Sequence, residues 1–214
     1  MKRVLLSTLL FMFFFGFSFF LAKSSDATLI TAIDFEEPGL SRSTGNWSLG
    51  FEFDVLEDFS VEYLGFFDYD KDDLTESHLV GIWNPGGSLI VSGTVNPGDM
   101  LHSWWRWTPV SPTLLTVGTG YRIAAVTGSE FYTGGPVNFT VDPSIAYVTA
   151  RASSTSGALL RPTSSYTEIG FFGPNFASSQ QIPTDPIPEP GTIALLGIGL
   201  AGLGLYGYRR KNKA

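Results

Sequence analysis

Two uncharged apolar runs of 18 residues close the ends of this 214-residue chain, and they bound what can fold between them. Val4 to Leu21, with seven phenylalanines, follows the basic start Met1-Lys2-Arg3. Gly191 to Tyr208 is followed at once by Arg209, Arg210, Lys211 and Lys213. At the helical rise, 18 residues span roughly 27 Å, close to the ~30 Å hydrocarbon core of a bilayer. The first run, with its positive start and the small-x-small pattern Ser25-x-Ala27, reads as a signal peptide over 1–27, cleaved after Ala27 by signal peptidase. The second run carries its charge on the C-terminal side, which places that side in the cytoplasm and everything before it outside. Only residues 28–187 are left to fold, and they do so after export.

The tail has a fixed order: Pro188-Glu189-Pro190, a Gly/Leu-rich run, then Arg209-Arg210. In this it resembles the PEP-CTERM sorting signal of Gram-negative bacteria. The resemblance implies recognition by an exosortase, cleavage near Pro188, Glu189 and Pro190, and a protein that passes from an inner-membrane precursor to the periplasm, cell surface or exopolysaccharide matrix. The run is weakly held for an anchor. Its seven Leu and Ile residues favour insertion by roughly 2–4 kcal/mol in total, and six glycines weaken the helix. A temporary hold at residues 188–214 is the expectation. A plain C-terminal anchor is the alternative.

Charge narrows the partners. Residues 28–187 hold 6 Lys and Arg against 18 Asp and Glu, a net of −12, and thirteen of the acids lie between Asp34 and Glu76. That balance argues against nucleic acid and anionic lipid. The chain has no cysteine, so the exported domain is held by packing alone, with no disulfide and no thiol nucleophile.

Within 28–187, short segments rich in Val, Ile, Phe, Tyr and Trp alternate with Gly, Pro, Asn and Asp breaks. The pattern predicts strands at 28–35, 46–55, 59–67, 78–84, 88–95, 101–110, 120–127, 145–151 and 166–172. Segment 59–67 reads as buried on both sides. The expected fold is all-β: an antiparallel Greek-key or jelly-roll-like sandwich over 28–177, flanked by the signal helix and a transmembrane helix. Residues 178–187, rich in Ser, Gln and Pro, read as a linker. Leu115-x-x-Gly118-Thr119-x-Tyr121 resembles a tyrosine corner, in which the phenol bonds back to the connection before its strand. More broadly, residues 47–176 are similar to exported sandwich domains that precede this sorting signal. The resemblance is carried by Gly50-Phe51-Glu52-Phe53, Leu64-Gly65-Phe66-Phe67-Asp68, His78-Leu79-Val80-Gly81-Ile82-Trp83 and Phe171-Phe172-Gly173-Pro174-Asn175-Phe176. It implies a fold and no activity.

Three constellations bear on chemistry. Asp68, Asp70, Asp72, Asp73 and Glu76 form an acidic stretch whose carboxylates suit Ca²⁺ if they converge, although Asp73 and Leu79 stand where an EF-hand loop needs Gly and Glu. A solvated acidic turn is the competing reading, and no other cofactor is expected. In Trp104-Trp105-Arg106-Trp107, strand alternation puts Trp105 and Trp107 on one face. Turned outward they would form a platform for sugar rings, making a carbohydrate-binding module; turned inward they are core. His78 and His102 are the only histidines, and no Gly-x-Ser-x-Gly elbow occurs, so no enzyme is expected. The leading expectation is a structural or adhesive matrix protein whose partners are exosortase, signal peptidase, the membrane and exopolysaccharide.

Overall fold

The structure is a computed structural model that describes residues 28–43, 45, 47–135, 138–167 and 170–180. The expected signal helix, the cleavage point at Ala27, the transmembrane helix and the sorting residues Pro188, Glu189, Pro190, Arg209 and Arg210 lie outside the described residues. Among those described, no helix is long and apolar enough to cross a membrane. The chain forms β1 (Thr28–Thr31), β2 (Ile33–Phe35), β3 (Leu40–Arg42), β4 (Trp47–Val55), β5 (Phe59–Phe67), β6 (His78–Trp83), β7 (Leu89–Val95) and β8 (Met100–His102). It continues through β9 (Trp105–Leu115), β10 (Gly118–Val126), β11 (Tyr132–Gly134), β12 (Phe139–Val141), β13 (Ile145–Ser154), β14 (Ser164–Tyr166) and β15 (Pro174–Gln180).

Two sheets face each other as a β-sandwich. One has the order β1-β15-β5-β9-β8 and the other β14-β13-β4-β10-β6-β7, and every pairing is antiparallel. Two short ladders, β11-β3 and β12-β2, complete the fold. Consecutive strands repeatedly change sheet: β4 lies in the second, β5 in the first, β6 in the second again, and so do β9 and β10.

The alternation of apolar residues explains the arrangement. In β4, Phe51, Phe53 and Val55 are buried while Glu52 and Asp54 point away from the core. Phe176 of β15 meets Phe53 of the facing sheet at 4.8 Å and Phe59 at 5.4 Å between ring centroids. Adjacent Phe66 and Phe67 of β5 must point to opposite faces, and both are fully buried. Phe66 stacks on His78 of the other sheet at 3.7 Å, and Phe67 packs against Phe35 of β2 at 6.1 Å. The five-stranded sheet is therefore covered on both sides there, as the sequence pattern of 59–67 predicts.

The tyrosine corner forms. Tyr121 Oη donates to the Thr116 carbonyl at 2.9 Å, across the connection where the chain leaves β9 in one sheet and enters β10 in the other. Such a bond is worth about 0.5–1.5 kcal/mol. Three expectations are corrected. The strand expected at 101–110 is two, β8 and β9, turned at Ser103 (φ 55°) and Trp104. The strand expected at 166–172 is instead β14, ending at Tyr166, and a single bridge between Phe172 and Thr133. The domain also runs past 177: β15 extends to Gln180 and lies between β1 and β5, so the first residues assigned to the linker belong to the sheet.

Candidate functional site

The tryptophan run is resolved by burial. Trp105 and Trp107 do share a face, and that face is covered: their exposures are 0% and 1%. Trp107 lies over Gly65, where an added Cβ would sit 2.8 Å from the indole, and its Nε1 donates to the His102 carbonyl at 3.1 Å. Trp105 packs on Phe35 at 4.9 Å, and among the described residues its Nε1 has no partner. Of the two readings the inward one holds, and this corrects the alternative of a sugar platform at Trp105 and Trp107. Each indole buries on the order of 200 Å², about 5 kcal/mol at ~25 cal/mol per Å², which an outward-facing platform would forgo. Trp104, in the turn, is only half-buried. Its Nε1 donates to the Phe35 carbonyl at 3.0 Å, and Lys71 Nζ lies 3.7 Å from its ring centroid.

The acidic stretch does not converge on a common point. Asp68 is buried and pairs with Arg106 Nε at 2.7 Å, while also accepting the Asp73 N–H at 3.2 Å. Asp73, in the left-handed region at φ 94°, accepts the N–H groups of Gly98 and Leu74 at 2.9 Å. The Gly98 N–H is the main cause of its lowered pKa. Glu76 turns to the far side of the loop and accepts the Ser129 Oγ–H at 2.7 Å and the Ser129 N–H, which lowers its pKa too. Gly128 makes that approach possible, since its φ is 55° and a Cβ there would collide with the Glu76 carboxylate. Asp70 and Asp72 are exposed. Asp68, Asp73 and Glu76 thus bind backbone N–H groups of the turns while Asp70 and Asp72 face solvent, and among the described residues no group of three or more His, Cys, Asp or Glu is placed to hold a metal ion.

A cleft that the sequence does not signal lies where the β3-β11 ladder meets β4, β13 and β14. Its volume is about 200 Å³, and Arg42, Trp47, Leu49, Tyr132, Tyr166 and Phe171 are among the residues lining it. Tyr132 and Phe171 meet edge-to-face at 5.5 Å, and Tyr166 and Phe171 at 5.2 Å. These aromatics form a small apolar cluster separate from the main core. Trp47 and Tyr166 are half-buried and leave part of their rings to solvent. A cleft of this size, below the ~300–1,000 Å³ that enclose drug-sized ligands, has room for one ring. Its residues come from five strands and from Phe171 between β14 and β15, spread over 42–171, which no spacing rule could have joined.

Residues 36–172, well over half of the chain, match the model of a domain of unknown function (DUF4082). The chain belongs to the DUF4082 family. The family's span covers the two sheets except for β1 and β15, which this structure adds to the first sheet on either side of the match. Residues 186–211 match the PEP-CTERM protein-sorting motif, around Pro188-Glu189-Pro190 and Arg209-Arg210. This DUF4082 protein is accordingly a PEP-CTERM protein. It is sorted to the cell surface by exosortase from a membrane-anchored precursor. No curated protein and no solved structure matches it.

Proposed function

We propose that this chain is a structural or adhesive component of the extracellular exopolysaccharide matrix in a Gram-negative bacterium, delivered by exosortase cleavage, and that it carries no catalysis of its own. The observation that carries the reading is the pairing of a sorting motif at 186–211 with a cysteine-free sandwich packed on aromatic side chains. Packing of that kind suits a domain that must persist outside the cell without redox support. The half-exposed rings of Trp47 and Tyr166 give such a domain an apolar face on which the C–H side of a sugar ring can rest.

Replacing Pro188, Glu189 and Pro190 with alanine in an exosortase-bearing host tests the delivery. The variant should stay with the membrane fraction while the parent reaches the matrix. Equal amounts of both in the matrix would contradict the reading.

A further inference from the structure

Residues 28–187 hold only six cations, and three of them meet on the outward face of the six-stranded sheet. Arg122 of β10 and Arg151 of β13 reach the same Oε2 of Glu52 in β4, each at 2.8 Å. Their chain neighbours Phe51, Phe53, Ile123, Ala150 and Ala152 are buried, so alternation turns the three charged side chains away from the core. The segment between β13 and β14 lies over them. Arg122 donates to the Pro162 carbonyl at 2.8 Å, Arg151 donates to the Thr163 carbonyl at 3.1 Å, and the Leu160 N–H donates to Ser48 Oγ at 3.2 Å.

Arg161 is the third cation. Its Nε is buried with no partner, and among the described residues its guanidinium makes no hydrogen bond or ion pair. Gly87 lies alongside, its Cβ position 3.9 Å from Arg161 Nε, an ordinary van der Waals distance. Burial, followed by the repulsion of Arg122, pushes its pKa down, opposed by Glu52. A guanidinium keeps its charge in a protein, so three cations share one carboxylate and the cluster is short of negative charge.

We propose that this cluster binds a carboxylate group borne by an extracellular acidic glycan, with Arg161 supplying the principal donors. The planar guanidinium fork matches a carboxylate with two parallel hydrogen bonds. Arg122 and Arg151, tied to Glu52 and to the overlying segment, hold the positive field in place. The rest of the domain selects among anions. With a net charge of −12 it repels a densely charged polymer, while screening over ~8 Å at physiological salt leaves the local patch attractive to a single uronate residue. The inference deepens the matrix reading and rests on it for the source of the glycan, although the binding chemistry stands apart from delivery.

The test is calorimetric titration of the full chain, held in an uncharged polyoxyethylene detergent, with a short oligogalacturonate, its methyl ester, and inorganic phosphate and sulfate as separate arms. The acid form should bind with an affinity that falls as salt rises, and the ester and inorganic ions should bind at least ten-fold more weakly. Arg161→Gln should weaken binding ten-fold or more without moving the melting temperature, because among the described residues its guanidinium makes no hydrogen bond or ion pair for the substitution to break. Arg161→Lys, which keeps the charge and loses the fork, should also weaken it. No binding of the acid form, equal binding of the ester, or unchanged affinity in Arg161→Gln would overturn the proposal. Phosphate or sulfate binding as tightly as the oligogalacturonate would overturn its assignment to a glycan carboxylate. None of these outcomes touches delivery, which the alanine variant of residues 188–190 reads by location.

Discussion

His78 shows how single residues set the conditions under which this domain is stable. Its ring lies parallel on Phe66, its Nδ1 donates to the Val126 carbonyl at 2.9 Å, and its Nε2 is buried without a partner among the described residues. Burial lowers its pKa below the ordinary value of about 6.5, outweighing the Val126 hydrogen bond and the attraction of Glu76 and Glu130. The unfolded chain therefore binds a proton below pH ~6.5 that the folded chain refuses, so stability is full above that pH and falls as pH drops. Asp73 and Glu76, both lowered by backbone N–H groups, act in the same direction below about pH 4. Urea denaturation at pH 7.5, 6.0 and 5.0 should show the loss, and His78→Phe should abolish most of the decline across that range. Equal slopes in parent and variant would show that His78 is not its source. At this scale the sequence was legible where one residue needs one partner, as Tyr121 does. It was not legible for Trp105 and Trp107, because alternation tells which residues share a face and not whether another layer covers it.

Among the elements, β15 does most to close the fold, and it is the one hardest to read. Asn175 is fully buried, donates to the Ile33 carbonyl at 2.7 Å and accepts the Ile33 N–H at 3.3 Å, joining positions 142 residues apart. Phe176 follows at the centre of the core. After it come Ala177, Ser178, Ser179 and Gln180, a composition that reads as a spacer. The strand is specified by partners on both sides, β1 and β5, and not by its own hydrophobicity. Strands such as 59–67 and 78–83, apolar and bounded by turns, were legible for the opposite reason. A chain of residues 28–180 should melt cooperatively, whereas one ending at Gly173 should not fold. The shorter chain loses Phe176, worth about 3–5 kcal/mol, together with the hydrogen bonds of a central strand, against a total stability of about 5–15 kcal/mol. Near-ultraviolet circular dichroism of the two chains checks this, and a cooperative transition in the shorter one would contradict it.

For the whole molecule, the sequence carries delivery in its tail and architecture in its strand rhythm, while the surface sites emerge only once the strands are paired. The tail is legible because its three parts are contiguous, from Pro188 to Arg210. The cleft beside Trp47 and the arginine cluster around Glu52 are assembled from several strands each, so linear spacing held no trace of either. The account makes residues 28–180 the durable part of the molecule and the last two dozen residues a temporary hold. The most direct measurement is the intact mass of the protein recovered from the matrix of an exosortase-bearing host. The account predicts a polypeptide that begins at Thr28 and ends near Pro188–Pro190, without residues 191–214. A recovered mass that still includes Arg209, Arg210 and the C-terminal Ala214 would contradict it.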